Sequence, residues 1–215
     1  MQQLNFEKTK RILEKYKLPL VKSALIKSEK QIPSFASKTG FPAVLKISSP
    51  DIIHKSDIRC VKINLQNQEQ VVAAYTEIIK NAKGKKPRAK IEGLILQKQI
   101  SGQEIIVGMK RDPQFDVVLM FGLGGIFVEI LKDVAFRIAP IEKQEAIEMI
   151  EEINAAKLLE GERGRKPANI EAIANILVKT GKLALENKKI MQLDFNPIIV
   201  NEKAAEIVDS RIIIE

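Results

Sequence analysis

Two periods govern the apolar positions along this chain. In RCVKINL (59–65), Val61, Ile63 and Leu65 alternate with Lys62 and Asn64, the two-residue repeat of a half-buried strand. FPAVLKIS (41–48) is more continuously apolar and reads as a companion strand. The repeat then lengthens. Val71, Val72, Tyr75, Ile78 and Ile79 mark one face of a helix, opened by Asn67 with Gln70 three residues on, in the manner of a capping box. Earlier, NFEKTKRILEKYK (5–17) predicts an amphipathic helix through Ile12, Leu13 and Tyr16 with Asn5 as its cap, and a short helix is expected near 28–39, closed by Gly40.

Beyond a lysine-rich connection, IEGLILQ (91–97), QEIIVGMK (103–110) and DVVLMF (116–121) predict three more strands with turn residues between them. Helices are expected at 142–154 and 168–186, followed by IMQLDFNPIIV and AAEIVDSRIII. The order of elements implies an α+β architecture of two lobes around a cleft, with a boundary near 97–102: a smaller lobe over 20–98 and a larger one over 99–215, preceded by the helix at 5–17.

The last two segments carry the most local information. If NEKA (201–204) is the turn of a hairpin, facing positions sum to 405, which opposes Asn196 to Asp209 and Asp194 to Arg211 and puts all four on one face. Leu193 and Phe195 then point the other way. Directly opposed positions lie about 4.5–5.5 Å apart, so Asn196 and Asp209 are placed to share one cation. Oxygen ligands in small number suit Mg²⁺, which completes its shell with water and phosphate oxygens. The competing reading is a strand face with ordinary polar residues.

Composition narrows the class. Hydrophobic residues make up 45% and charged residues 29% of 215 positions, which excludes a disordered chain, and the single Cys60 excludes an internal disulfide and fits a reducing cytoplasm. No run is apolar and long enough for a membrane helix; VVLMFGLGGIFV (117–128) is too short and rich in glycine. The net charge of +8 suits nucleic acid, anionic small ligands or only a lysine-rich solvated surface, and nucleic acid is disfavoured because aromatic residues are only 5%, Trp is absent and the basic stretch KGKKPRAK (83–90), which reads as a solvated loop, has no aromatic residues within it.

Several residues stand out chemically. His54, the only histidine, sits in the short polar connection SPDIIHKSD beside Asp51, Lys55 and Asp57. FGLGGIF (121–127) runs from a strand into a turn where Gly122, Gly124 and Gly125 permit close backbone approach to an anion, although it is neither a P-loop nor a full dinucleotide fingerprint and a tight structural turn explains it equally. Lys46 lies inside an apolar strand, as either a solvent-facing residue or a fixed charge for a ligand, and Glu104 opens a strand just after the expected hinge. Cys60 has no neighbouring ligand partner and reads as packing.

Taken together, AVLKISSPDIIHKSDIRCVKINL, GQEIIVGMKRDPQF, MFGLGGIFVEILKDVAFRIAPI, GERGRKPANIEA and LDFNPIIV resemble, in order and over nearly the whole chain, the β subunits of the ADP-forming acetyl-CoA synthetases, an ATP-grasp domain with two lobes and the nucleotide between them. The succinyl-CoA synthetase β subunits are similar. The resemblance implies conversion of acyl-CoA, ADP and phosphate to acid, ATP and CoA, through acyl phosphate and phosphohistidine. His54 would take part in phosphoryl transfer, a task suited to a neutral imidazole. Lys46 would contact nucleotide phosphate; Gln97, Lys98, Gln99 and Ile100 would line the adenine pocket; Glu104 would hold the ribose; Asn196 and Asp209 would ligate Mg²⁺; Asp194 would orient the phosphohistidine. Gly122, Gly124, Gly125 and Arg137 would handle phosphate.

The family pattern is broken at one place. After HKSD it has a hydrophobic residue and then a glycine pair, where this chain has Ile58, Arg59 and Cys60. The guanidinium of Arg59 is expected to supply charge over the phosphates in place of the lost backbone freedom. Nothing here resembles the CoA-binding part, so the resemblance implies a separate CoA-binding α subunit in an α2β2 assembly. A succinate-type ligase subunit and a noncatalytic nucleotide-binding regulatory module are the alternatives.

Overall fold

The strand Ala43–Ser48 (β3) sends Ala43, Leu45 and Ile47 to one face and Val44, Lys46 and Ser48 to the other, and this alternation organises the smaller of two compact units. In the computed structural model, which describes residues 1–52, 55–125, 132–161 and 166–215, that unit comprises Asn5–Glu7 and Val21–Ile100. Ser23–Ile26 (β2), Val61–Leu65 (β4) and Gly93–Lys98 (β5) complete an antiparallel sheet ordered β2-β5-β3-β4. The helices Ile32–Thr39 (α2) and Gln68–Lys85 (α3) pack on the Leu45 face through Ile32, Ala36, Val71, Ala74 and Ile78.

Local chemistry sets the ends of these helices. Asn67 accepts a hydrogen bond from the Gln70 amide at 2.9 Å, and the Gln70 side chain accepts from the Gln66 amide at 2.8 Å, so the expected cap forms with its reciprocal arm one residue earlier. Helix α2 is shorter than its pattern predicts because a 3-10 turn at Glu29–Gln31 precedes it, and Gly40 closes it at φ 80°.

The larger unit comprises Met1–Leu4, Lys8–Leu20 and Ser101–Glu215. Among the described residues its sheet has seven strands: Gln2–Gln3 (β1), Gln103–Asp112 (β6), Asp116–Leu123 (β7), Val134–Ile138 (β8), Ile190–Val200 (β9), Ala205–Ile207 (β10) and Ser210–Ile214 (β11). The order is β1-β11-β9-β6-β7-β8, with β10 also pairing β9, and all pairs are antiparallel. One face buries Val107, Met109, Leu119, Leu193, Phe195 and Ile212 under Lys143–Glu151 (α4) and Ile170–Glu186 (α5), with Leu13 of Phe6–Lys15 (α1) in the same core. The strands β1, β2 and β8 were not legible in the hydrophobic pattern; each is five residues or shorter.

Two polar side chains hold this helix layer in place. Arg111 donates to the carbonyls of Ala184 at 2.7 Å, near the end of α5, and of Ile190 at 3.2 Å, at the start of β9, and it pairs with Asp116. Asp133 accepts from Asn154 and Ala155 amides at 2.9 and 2.8 Å; burial opposes its charge, but these bonds outweigh it and hold the carboxyl below its usual range. No helix among the described residues is long and apolar enough to cross a membrane.

Candidate functional site

On the face of the larger unit's sheet opposite α4 and α5, polar residues converge. On β9 and β11, Ser210 pairs with Phe195, Arg211 with Asp194 and Ile212 with Leu193, the register in which facing positions sum to 405. Asn196 donates its backbone N–H to the Asp209 carbonyl at 3.2 Å. Pro197 has no N–H to give, and its carbonyl accepts from both Val208 and Asp209, at 3.1 and 3.3 Å. Asp194, Asn196, Asp209 and Arg211 therefore stand outside the core, while Leu193 and Phe195 are buried beneath them.

Asp194 is the electrostatic focus of this face. Burial and then the nearby Asp209 carboxylate push its carboxyl above the ordinary range, against the opposing pull of Arg211. The Arg211 guanidinium is anchored by Gln3, whose side-chain oxygen accepts from Nε at 3.0 Å. On the other side Asp194 pairs with Gly108 of β6, so no side chain crowds it from that strand. The hydrophobic pattern gave no role to Gly108; its only signal was a glycine interrupting an apolar strand. Among the described residues no group of three or more His, Cys, Asp and Glu is assembled for a metal, and the donors available here are the oxygens of Asp194, Asn196 and Asp209. Such a sparse all-oxygen set fits Mg²⁺ and does not fit a structural zinc.

Glu104 is exposed at the start of β6, paired with Ile199, and lies on this same face. Its carbonyl accepts from the Gly124 amide at 2.7 Å. A Cβ at Gly124 would meet Glu104 Cβ at 2.8 Å, so that glycine is required by strand packing whether or not an anion binds. Gly122 lies within β7, and Gly125 takes φ 65° in open space, where an L side chain is disfavoured.

In the smaller unit, Lys46 and Gln97 share the sheet face opposite the helices. Lys46 pairs with Ile95 and Val61, and Gln97 with Val44 and Ser23. Both are buried, and the Gln97 side-chain oxygen is buried with no hydrogen-bond partner. Lys98 is exposed; the Gln99 amide donates to the Pro42 carbonyl at 2.9 Å, and its side-chain oxygen accepts from the Asn64 amide. Ile100 is half-buried at the end of the unit.

The ATP-grasp domain description matches residues 1–214 of the chain. The β subunit of an ADP-forming acetate–CoA ligase I from Pyrococcus furiosus is 50% identical over 206 residues, covering 95% of this chain and 89% of the relative. The chain belongs to the ATP-grasp β subunits of the ADP-forming acetate–CoA ligases. Two solved structures of a dinucleotide forming acetyl-coenzyme A synthetase 1 from Ca. Korarchaeum cryptofilum are similar to it. One, with coenzyme A and Ca-AMPCP, has a TM-score of 0.96 at 45% identity and covers 100% of this chain and 94% of that chain. The other, with coenzyme A and Mg-AMPPCP, has a TM-score of 0.85 at 42% identity and covers 99% of this chain and 92% of that chain.

Against this family, the departure at 58–60 has a clear local structure. Arg59 keeps a left-handed backbone, φ 54°, the conformation a glycine adopts without cost. Its carbonyl accepts from Asn81 of α3 at 3.1 Å, and its charge acts on Glu77 of α3, whose carboxyl is held below the usual range first by the Lys62 hydrogen bond. That helix covers the side of the sheet opposite Lys46 and Gln97. Cys60 is fully buried against α3, and burial raises its thiol pKa, which agrees with packing and not with thiolate chemistry.

Arg137 does not reach the face that carries Asp194. It pairs with Leu119 on the helix-covered side of the larger sheet, and its guanidinium bonds Glu152 at 2.6 Å, lies 3.9 Å from Glu145 and donates to the Phe136 carbonyl at 2.8 Å. On the edge strand β8 these contacts tie the strand to its helix and occupy an edge carbonyl. His54 lies outside the described residues.

Proposed function

We propose that this chain is the nucleotide-binding β subunit of an ADP-forming acyl-CoA synthetase with acetyl-CoA as its acyl donor. It passes a phosphoryl group between phosphohistidine and ADP, so that acyl-CoA, ADP and phosphate become acid, ATP and CoA. A separate CoA-binding α subunit completes the enzyme, in an α2β2 assembly in the cytoplasm. The observation that carries this reading is the β9–β11 register, which sets the oxygens of Asp194, Asn196 and Asp209 on one face beside Arg211.

Asn196 and Asp209 are the residues that would hold Mg²⁺; the ion's contribution is to offset charge on nucleotide phosphates. Lys46, a buried cation on the sheet face shared with Gln97, binds phosphate oxygens and keeps the nucleotide in place. Glu104 accepts from ribose hydroxyls. His54 is the phosphoryl carrier on this subunit, and Asp194 orients the phosphohistidine imidazole. The relatives' solved complexes, one with Ca-AMPCP and one with Mg-AMPPCP, support the nucleotide assignment.

Calorimetric titration of ADP with and without Mg²⁺ tests the site. Asp209→Ala is expected to weaken the Mg²⁺-dependent affinity at least about tenfold while leaving metal-free binding within about twofold, a coupling of at least about 1 kcal/mol. Equal losses under both conditions would remove Asp209 from the metal. Transfer of acid-labile phosphate to the wild-type chain but not to His54→Ala, once the CoA-binding partner, acetyl-CoA and phosphate are added, separates the enzyme from a noncatalytic nucleotide-binding module.

A further inference from the structure

At the start of β9 and the end of β11, Ile190 and Ile214 are register partners, and beside them the larger unit holds a cavity of about 680 Å³ that nucleotide binding does not use. Leu4, Ile12 and Leu185 extend its apolar floor; these three and Ile214 pack on the core with only part of their surface. Helix α1 reaches the cavity through Lys8, Arg11 and Ile12, which a spacing of three and four sets on one stripe, while Thr9 and Leu13 are buried. Four cationic side chains, Lys8, Arg11, Lys188 and Lys189, line it against one carboxylate, Glu186. That carboxylate is already engaged, accepting from the Tyr16 hydroxyl at 2.8 Å and lying 3.9 Å from Lys182. Arg11, Lys188 and Lys189 are exposed, and none of the three has an acidic partner among the described residues. Nor do the two lysines serve the end of α5, where the Ala184 carbonyl accepts from Arg111.

We propose that this cavity binds a carboxylate carrying an alkyl chain, with the chain on the aliphatic floor and the head group against Arg11, Lys188 and Lys189. Two features select that class together. The excess of positive charge repels cationic amphiphiles and favours an anionic head group, which the Arg11 guanidinium can take in bidentate fashion. The floor of leucine and isoleucine gains nothing from a small hydrated anion such as acetate, and gains with each methylene that displaces water from it. The volume falls within the range of about 300–1,000 Å³ typical of small-molecule sites. A wholly apolar ligand would cover the floor and leave the cations unanswered.

Calorimetric titration of the full-length chain with decanoate, octanoate, acetate, decanol and decyltrimethylammonium, each below its micellar concentration, tests the assignment. Decanoate is expected to bind at one site, more tightly than octanoate by about two- to fourfold per methylene, with acetate and the cation silent. Decanol should bind at least about tenfold more weakly than decanoate, and raising the salt concentration should weaken decanoate alone. Replacing the three surface cations together, by Arg11→Gln, Lys188→Gln and Lys189→Gln, should bring decanoate to the affinity of decanol. Ile12→Glu, which sets a carboxylate on the floor, should abolish binding; if that variant does not fold, the triple variant decides. No decanoate binding by the wild type, equal binding of decanoate and the cation, or an unchanged affinity in the triple variant overturns the proposal. Sedimentation of the wild type and the triple variant covers the other occupant: self-association that the three substitutions abolish, without decanoate binding, would make the groove an interface between copies of the chain and overturn the ligand assignment.

Discussion

Asp194 and Arg211 are register partners across β9 and β11, yet the Asp194 carboxyl is held above its ordinary range, because burial and the Asp209 charge outweigh the guanidinium opposite. The pairing is thus an incomplete neutralisation, and the face retains an excess of negative charge.

The sign of the pH dependence follows. A carboxyl whose pKa is raised on folding binds its proton more tightly in the native state, so stability falls as pH rises from the unfolded value, about 3.9, through the raised native one. The ionised form is the strained form. Asp194→Asn should therefore stabilise the metal-free chain near neutral pH, by on the order of 2 °C in Tm, and have little effect near pH 4. Adding Mg²⁺ should narrow that difference. Thermal unfolding of both proteins across pH checks this, and a substitution that destabilises at neutral pH would mean that the Arg211 contact dominates.

Arg59 and Cys60 should respond oppositely to glycine. Arg59 holds a left-handed backbone at φ 54°, so Arg59→Gly relieves about 1–2 kcal/mol of strain and returns about 0.4–1 kcal/mol to unfolded-state entropy, a net gain of about 0.5–1 kcal/mol. The Asn81 bond reaches the Arg59 carbonyl and survives the change. Cys60→Gly empties a fully buried position against α3 and should cost about 1–2 kcal/mol. Urea midpoints at unchanged slope distinguish the two; a loss in Arg59→Gly would show that the side chain contributes through its charge.

Three glycines should rank by what a methyl group would strike. A Cβ on Gly102 would overlap the backbone carbonyl of Val200, one on Gly124 would meet Glu104 at 2.8 Å, and one on Gly125 meets nothing within 4 Å but sits at φ 65°. Alanine should cost most at Gly102, about 1–3 kcal/mol at Gly124 and about 1 kcal/mol at Gly125. Chemical denaturation of the three variants gives the order directly. A Gly124→Ala protein as stable as the wild type would contradict the close packing against Glu104.

Long periodic segments were legible by pattern alone. The helix at 68–85 and its Asn67 cap, the strands from 43 and 61, and the register that opposes Asp194 to Arg211 all follow from side-chain period and local hydrogen bonding, which act over a few residues. The left-handed turn at Arg59 was legible only as a missing glycine; the backbone kept the conformation because Asn81 and the buried Cys60 fix the loop to α3. Other features depend on partners distant in sequence. The family resemblance implied a phosphate role for Arg137, but the strand parity of β8 turns it to the helix side, where Glu145 and Glu152 pair with it. Gly108 came to lie beside Asp194 only through the pairing of β6 with β9. Residue types and spacing determined which elements form and which chemistry is available; tertiary pairing decided which face each side chain occupies, since the strand period of two gives every residue a face but not the neighbour across it.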